Sequence, residues 1–225
     1  MKYFINLKYN YIFFVEFYNK LIYKFFINKM INQNYIHSYF KNTSSAIFKL
    51  GNHKKEIVSI INQISKCYKN KKKVLVAGNG GSCSDAEHFA GELLCTFKNR
   101  KRKGISAIPL TSHSAAITAW ANDFKFESYF ERQVVSNGQR NDILFLLSTG
   151  GGNLKNKASL NLVYAALKAK KKKLKVISLV GKNGGELKKI SDICIHVKET
   201  ETSIIQECHM SILHCICLGL EEKLK

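Results

Sequence analysis

Several features that would assign this 225-residue chain to a particular class of proteins are missing from its sequence. No stretch approaches the roughly 18 uninterrupted apolar residues expected of a membrane-spanning helix. The seven cysteines have no regular spacing, which argues against a disulfide framework, and they lack the C-x-x-C pairs of structural zinc sites. We expect no cleavable signal peptide, reduced thiols, no membrane span and a cytoplasmic location.

Acidic residues are also scarce, because 16 Asp and Glu stand against 36 Lys and Arg, which gives a formal net charge of +20. Such a balance can indicate binding to nucleic acid or to an anionic membrane surface. The lysines are scattered, however, and no nucleic-acid fold signature accompanies them. We therefore attribute the charge to compositional drift and expect no nucleic-acid partner. Two local clusters remain, at Lys98 to Lys103 and Lys168 to Lys175.

The sequence predicts an N-terminal extension at residues 1–29 and one domain at residues 30–225. The extension is rich in Tyr, Phe, Ile and Lys, and its role is uncertain. It fits a targeting or membrane-surface helix, or an upstream translation, since Met30 offers a second start. Apolar residues recur at helical spacing from Met30 to Lys71, with a break at Gly51 and Asn52.

A regular alternation of strands and helices follows. Strands are predicted at Val74–Ala77, Ile105–Leu110, Ile143–Leu147, Leu174–Leu179 and Ile193–Val197. Helices are predicted at Ser84–Phe97, Ser114–Ala121 continuing into Glu127–Asn137, Asn156–Lys171, Glu186–Ile190 and Ser203–Lys225. Short apolar strands separated by helices indicate an α/β fold, a parallel sheet covered by helices on both faces. Such sheets bind ligands at the carboxyl ends of their strands.

Two glycine-rich loops carrying hydroxyl groups follow predicted strands. The first contains Asn79, Gly80, Gly81 and Ser82, and the second runs from Ser148 through Thr149 and Gly150 to Asn153. Neither is a G-x-G-x-x-G dinucleotide fingerprint or a Walker A loop. The first alone could be an ordinary tight turn, but two such loops at neighbouring strand ends favour one site for a small phosphorylated metabolite.

Five side chains add candidate chemistry to these loops. His88 and Glu92 are four residues apart, so on a helix they share one face. Asn122 and Asp123 follow the second strand and fit either a helix cap or hydrogen bonds to sugar hydroxyls. A lone histidine such as His214 is usually packed, and it gains functional interest only if its helix returns to the carboxyl edge of the sheet. The nearby Cys208, His209, Cys215 and Cys217 lack metal-site spacing and fit a buried helix better.

Five motifs in order resemble the sugar isomerase (SIS) domain family, and within it the phosphoheptose isomerases. They read G-N-G-G-S-x-x-D-A-x-H-F-A-x-E-L, A-N-D-F-x-F, L-S-T-x-G, V-G-K-N-G-G-x-L and I-Q-E-x-H-x-x-x-x-H. The resemblance covers roughly Met30 to Glu222. It implies a flavodoxin-like five-stranded parallel sheet and a homotetramer with active sites between subunits.

The resemblance also implies an activity. The family interconverts sedoheptulose 7-phosphate and D-glycero-D-manno-heptose 7-phosphate through an enediolate, the first step of ADP-heptose synthesis for lipopolysaccharide. Glu92 and His214 match the acid-base catalytic pair. A zinc ion, one per subunit, would be bound by His88, Glu92, Gln206 and His214. The positions that match substrate-binding residues are Asn79, Gly80, Gly81, Ser82, His88, Glu92, Asn122, Asp123, Ser148, Thr149, Gly150, Asn153 and Gln206.

Three departures from the family pattern bear on substrate affinity more than on reaction type. The second loop usually reads Ser-Thr-Ser-Gly-Asn-Ser, the following segment is longer and rich in lysine here, and Ile204 replaces the usual Arg. Relatives that regulate replication initiation by binding an initiator protein lack the catalytic pair, whereas this chain keeps Glu92 and His214. A regulator of that kind, or an isomerase or binder of another phosphosugar, is the alternative reading.

Overall fold

A computed structural model describes residues 33–225 together with Lys20. The predicted extension at residues 1–29 lies, apart from Lys20, outside the described residues, so the proposed boundary at residue 30 stays a prediction. The chain divides into two compact units, Met1–Asn42 and Thr43–Lys225. The sheet and the candidate site both belong to the second unit.

The described helices and strands alternate as the sequence predicts. Helix α1 spans Gln33–Lys49, and a 3-10 turn at Leu50–His53 separates it from α2 at Lys54–Lys69. The five strands are β1 Val74–Gly78, β2 Ala107–Pro109, β3 Ile143–Ser148, β4 Lys175–Val180 and β5 Ile193–His196. The remaining helices are α3 Gly81–Leu94, α4 Ser114–Asp123, α5 Tyr129–Asn137, α6 Leu160–Lys171, α7 Gly185–Ile190 and α8 Thr202–Lys223.

The strands form one parallel sheet in the order β2-β1-β3-β4-β5, which confirms the flavodoxin-like topology. Every residue of β1 and β3 is buried, as expected for a sheet covered on both faces. Leu75, Leu144 and Val176 pack on one face against residues of α5 and α6. Phe145 contacts Phe89 of α3 on the other face, with ring centroids 5.0 Å apart.

Helix α8 packs against both α2 and α3. Gly219 allows close approach to α2, since a Cβ there would lie 2.3 Å from the Ile61 side chain. In the part of the chain that the structure describes, α8 is the one helix long and apolar enough to cross a membrane, but half of its apolar window is buried. Buried Ile205, Ile212 and Ile216 therefore mark it as a core helix.

Some predicted boundaries are wrong, for local reasons. The predicted strand Ile105–Leu110 is only three residues long in the sheet, at Ala107–Pro109. The helix predicted from Asn156 begins at Leu160, because Lys157 and Ser159 adopt left-handed backbone conformations that interrupt helical geometry. The helix predicted to continue from Ala121 ends at Asp123, and a 3-10 turn at Phe126–Ser128 precedes α5.

The basic clusters are not uniform charged surfaces. Arg102, within the first cluster, is buried and lies 3.6 Å from Glu221. In the second cluster, Lys168 pairs with Glu131 on α5, and Lys170 and Lys175 both pair with Asp192. Part of the charge is therefore neutralised locally.

Candidate active site

The two glycine-rich loops lie at one edge of the sheet. Strands β1 and β3 are neighbours, with Gly78 paired to Leu147 in register. Both strands end at this carboxyl edge, and α3 begins directly beyond the first loop, at Gly81 rather than at the predicted Ser84. The topology thus places the loops side by side, as the sequence predicts.

The first loop is held in a tight turn by its own backbone. The N–H of Ser82 donates to the carbonyl of Asn79, and the N–H of Cys83 donates to that of Gly80. Gly80 has a φ of 56°, which favours glycine. A Cβ at Gly78 would lie 2.2 Å from the carbonyl oxygen of Ser82, so only glycine permits this approach.

Asn79 is engaged by a residue that the sequence did not reveal. Its amide and that of Asn161 exchange two hydrogen bonds, of 2.9 and 2.8 Å. Asn161 lies in the first turn of α6 and is only 2% exposed. The reciprocal pair joins the first loop to α6 and fixes the orientation of the Asn79 side chain.

The second loop is braced against α7. The N–H of Gly151 donates to the hydroxyl of Ser148, while the carbonyls of Gly151 and Gly152 accept from Leu187 and Glu186. Gly151 and Gly152 have φ values of 70° and 77°. Gly151, which matches the family pattern, and Gly152, which replaces its Asn, therefore serve a close backbone contact and supply acceptors for the first turn of α7.

Asn153, at the end of this loop, accepts backbone hydrogen bonds from Lys155 and Asn156. Its side-chain oxygen thus shapes the following turn. Thr149 and Gly150 remain partly exposed. Together with the partly exposed Asn153, they are open to solvent and can approach a ligand.

The predicted acid-base residues come together between α3 and α8. His88 Nε2 lies 3.1 Å from Glu92 Oε1, one helical turn away. The rings of His88 and His214 meet edge to face, with centroids 5.3 Å apart. The helix that carries His214 packs against α3, and its amino-terminal part, at Gln206, reaches Gly81 at the carboxyl edge of the sheet. All three side chains are at least partly exposed, so a substrate can reach them.

Gln206 lies at a different level of the same pair of helices. A Cβ added to Gly81 would be 2.3 Å from Gln206 Nε2, so the side chain rests on the first turn of α3. The eight residues from Gln206 to His214 correspond to a rise of about 12 Å along a regular helix. Gln206 therefore lies near the glycine loop, whereas His214 lies near His88.

Two imidazoles, a carboxylate and an amide oxygen are donor types that suit zinc. His88 contacts both Glu92 and His214. Among the described residues, no three His, Cys, Asp or Glu side chains are arranged so that they could hold a metal ion. The donor chemistry fits zinc, and side-chain rotation would be needed to bring the donors to one point.

Asp85 completes the charged surroundings of His88. Burial raises the pKa of its carboxyl group to about 6, His88 opposes this shift, and Glu207 adds to it. The Oδ2 atom is buried and has no hydrogen-bond partner among the described residues. An aspartate in this environment favours a positively charged neighbour.

Asn122 and Asp123 lie in the last turn of α4 with exposed side chains, and they hydrogen-bond to each other at 2.9 Å. Among the described residues, no hydrogen bond joins either of them to the two loops or to the His88 group. Their predicted role in substrate binding stays a prediction.

Two other contacts near the site could not be predicted from the sequence. Phe97 stacks on His214 with ring centroids 5.5 Å apart and an interplanar angle of 23°. Thr111, directly after β2, donates to Glu87 at 2.9 Å. The sequence offers no periodic or motif signal for either contact, because each depends on how loops fold over α3.

The cysteine- and histidine-rich segment of α8 is mostly core. Cys208, His209 and Cys217 are buried, and Cys215 is exposed. All seven cysteines lie within the described residues and are free thiols. Burial raises the pKa of Cys208 and Cys217 to about 11 and about 12. They are therefore neutral packing residues, as the sequence indicates.

Comparison with known proteins agrees with this architecture. The SIS domain family matches residues 38–181. Phosphoheptose isomerase of Helicobacter pylori (strain ATCC 700392 / 26695) is 43% identical over 152 residues, covering 68% of this chain and 76% of that protein. Phosphoheptose isomerase of Clostridium acetobutylicum is 36% identical over 195 residues, covering 85% and 96%.

Solved structures give the same picture. A phosphoheptose isomerase from Francisella tularensis superposes with a TM-score of 0.79 at 34% identity, covering 86% of this chain and all of that chain. Phosphoheptose isomerase from Neisseria gonorrhoeae superposes with a TM-score of 0.77 at 29% identity, covering 84% and 98%. Taken with the matching sheet order and site motifs, these likenesses show that the chain belongs to the phosphoheptose isomerase family of SIS domain proteins.

Proposed function

We propose that this protein converts sedoheptulose 7-phosphate to D-glycero-D-manno-heptose 7-phosphate through an enediolate. The observation that carries the proposal is the group formed by His88, Glu92 and His214, about two to three turns along α3 from the glycine loop that opens this helix. An initiator-binding regulator without the catalytic pair would have no need for this arrangement. Family membership supplies the substrate class.

The two halves of the reaction need different groups. A base removes a proton from C1 of the ketose, and a proton is returned to C2 of the enediolate. Glu92, a partly exposed carboxylate held beside His88, is suited to move this proton between the carbons. His214 is suited to transfer a proton between the two oxygens, since an imidazole can both donate and accept.

The phosphate is proposed to bind at the two loops. Backbone N–H groups at the start of α3 and the positive end of its dipole favour an anion there. Ser82 and Thr149 add hydroxyl groups. Because Gly150 stands where the family pattern has a serine, the second loop has lost a hydroxyl donor, and we expect the first loop to carry the larger share of phosphate contacts.

A zinc ion is proposed at His88, Glu92, Gln206 and His214. Bound there, it would polarise the carbonyl and hydroxyl oxygens of the sugar as a Lewis acid. Isothermal titration with zinc checks the assignment: His214→Ala should weaken binding at least about tenfold, as loss of a ligand does. Equal zinc affinity in both proteins would rule out His214 as a ligand.

A homotetramer with sites near subunit contacts is also proposed. Leu94 and Leu218, close in sequence to Glu92 and His214, are 55% and 40% exposed, and Phe48 on α1 is 88% exposed. Exposed apolar side chains of this size are typical of protein interfaces. Light scattering of the purified protein gives the oligomeric state directly, and a monomer would contradict the proposal.

The experiment that tests the activity compares two glutamate variants. Glu92→Gln should lower kcat by at least about a hundredfold, since it removes the proposed general base. Glu131→Gln is the matched control, because Glu131 is a half-buried helical carboxylate that pairs with Lys168 away from the site. Folded wild-type protein that leaves sedoheptulose 7-phosphate unchanged with zinc present would refute the proposed function.

A further inference from the structure

Glu221, near the end of α8, is a buried carboxylate that anchors a loop. It is 5% exposed, and its two oxygens accept hydrogen bonds of 3.0 to 3.1 Å from the backbone N–H groups of Phe97, Lys98 and Asn99. Burial raises the pKa of Glu221, but these donors and Arg102 outweigh it, so the pKa lies below its ordinary value. The carboxylate is thus charged and holds the loop after α3 against α8.

Arg102, at the other end of this loop, connects Glu221 to α3. Its guanidinium is buried, with Nε 3.6 Å from Glu221 Oε1. The Nη1 atom donates to the carbonyl of Leu93 at 3.0 Å, and Nη2 donates to the carbonyl of Glu92. These carbonyls belong to the last turn of α3, where a cation is favourable and the orphan acceptors need donors.

Both ends of this ion pair therefore reach the acid-base residues. Arg102 holds the backbone of Glu92, and Glu221 holds the backbone of Phe97, whose ring stacks on His214. The contacts of Arg102 and Glu221 thus act on two side chains, Glu92 and His214, that come from different helices. A lost ion pair would leave the relative position of Glu92 and His214 to weaker contacts.

We propose that Glu221 and Arg102 are positioning residues for isomerisation, which set the geometry between Glu92 and His214 without contacting the substrate. The inference rests on the proposed function for its catalytic consequence. A buried ion pair is weak evidence for stability by itself, since desolvation offsets its Coulombic gain. A geometric role gives this pair a specific purpose, because a misplacement of about 1 Å in an active site can cost about a hundredfold in rate.

A matched control separates positioning from stability. Asp142, at the amino end of β3, is fully buried, accepts from the backbone of Lys73 and Gln139, and pairs with Lys73 Nζ at 2.7 Å. It has the same kind of environment as Glu221, but its partners do not include a residue of the His88 group or a neighbour of one. Glu221→Gln and Asp142→Asn should both lower the Tm, but only the first should disturb the site.

The test measures kinetics and the environment of His214 in the full-length protein. Glu221→Gln should lower kcat at least about tenfold with KM changed less than about threefold, since it alters reacting geometry more than substrate contacts. With histidine labelled at Cε1 with ¹³C, the His214 signal, assigned by His214→Gln, should lose the ring-current shift from Phe97. Phe97→Ala, which keeps the backbone donors of Glu221, should move the same signal and lower kcat, and it replaces Glu221→Gln where that variant does not fold.

The outcomes distinguish this inference from the proposed function. Asp142→Asn should keep the wild-type kcat and the His214 signal. The positioning role is overturned if Glu221→Gln leaves the His214 signal in place, or if it matches Asp142→Asn in kcat. If the wild-type protein does not act on sedoheptulose 7-phosphate, the proposed function fails, and the His214 signal still decides whether Glu221 positions that ring.

Discussion

His209 makes the stability of this protein sensitive to acid. It lies on α8 with 0% exposure, and neither ring nitrogen has a hydrogen-bond partner among the described residues. Burial lowers its pKa from 6.5 to about 4, while the nearby backbone of Val180 opposes the shift. The charged form is disfavoured because the imidazolium would lose its water without gaining an acceptor.

The sign and size of the effect follow from proton linkage. Between pH 6.5 and about 4, the unfolded chain binds a proton at His209 that the folded chain does not bind. The free energy of unfolding therefore falls as the pH falls through this range. The pKa difference corresponds to about 3 kcal/mol, at 1.36 kcal/mol for each pH unit. Above pH 6.5 both states are neutral and the effect is absent.

Replacing His209 by leucine, a side chain of similar size, should remove this dependence. Urea unfolding of wild-type protein and His209→Leu, at equal protein concentration from pH 7.5 to pH 4.5, gives the difference in unfolding free energy at each pH. The variant should gain about 2 kcal/mol relative to wild type over that range, since pH 4.5 stops short of the full shift. Asp85 shifts in the opposite sense, but it is present in both proteins and cancels in the difference. A constant difference across the range would refute the reasoning.

Two further predictions concern the loops. Gly151→Ala should abolish folding or substrate binding, since a Cβ would lie 2.0 Å from the carbonyl oxygen of Gly184 and φ is 70°. Gly150→Ala meets no atom within 4 Å and should leave thermal stability unchanged. Equal melting curves for the two variants would contradict the described loop. Asn161→Leu should lower the unfolding free energy by about 1–3 kcal/mol, by leaving the Asn79 amide unpaired, and it should raise KM. Urea unfolding and initial rates check both effects, and an unchanged KM would separate Asn79 from substrate binding.

The sheet could be predicted from the sequence because its strands are short apolar runs separated by helical patterns. The predicted bounds of the strands Val74–Gly78 and Ile143–Ser148 are within one residue of the observed ones. Both strands are fully buried, and full burial favours an uninterrupted run of apolar residues. The start of α6 was misplaced because left-handed Lys157 and Ser159 carry no glycine or proline signal.

The site could be predicted only as far as local motifs reach. His88 and Glu92 share a helical face by spacing alone, and the structure adds His214 from over a hundred residues away. Asn161 and Glu221 could not be found, because their partners lie 82 and more than 120 residues distant in sequence. Long-range pairs of this kind depend on how helices dock onto the sheet, which single-residue patterns do not encode.

The central claim is that Glu92 moves a proton between two carbons of a seven-carbon sugar phosphate. The most direct measurement follows sedoheptulose 7-phosphate by proton NMR in D₂O with zinc and wild-type protein. The account predicts that anomeric signals of the aldose appear as singlets, since C2 acquires deuterium through the enediolate, and that Glu92→Gln gives none. Absence of the aldose with folded wild-type protein, or doublets from a hydrogen carried directly from C1 to C2 without exchange with the solvent, would contradict it.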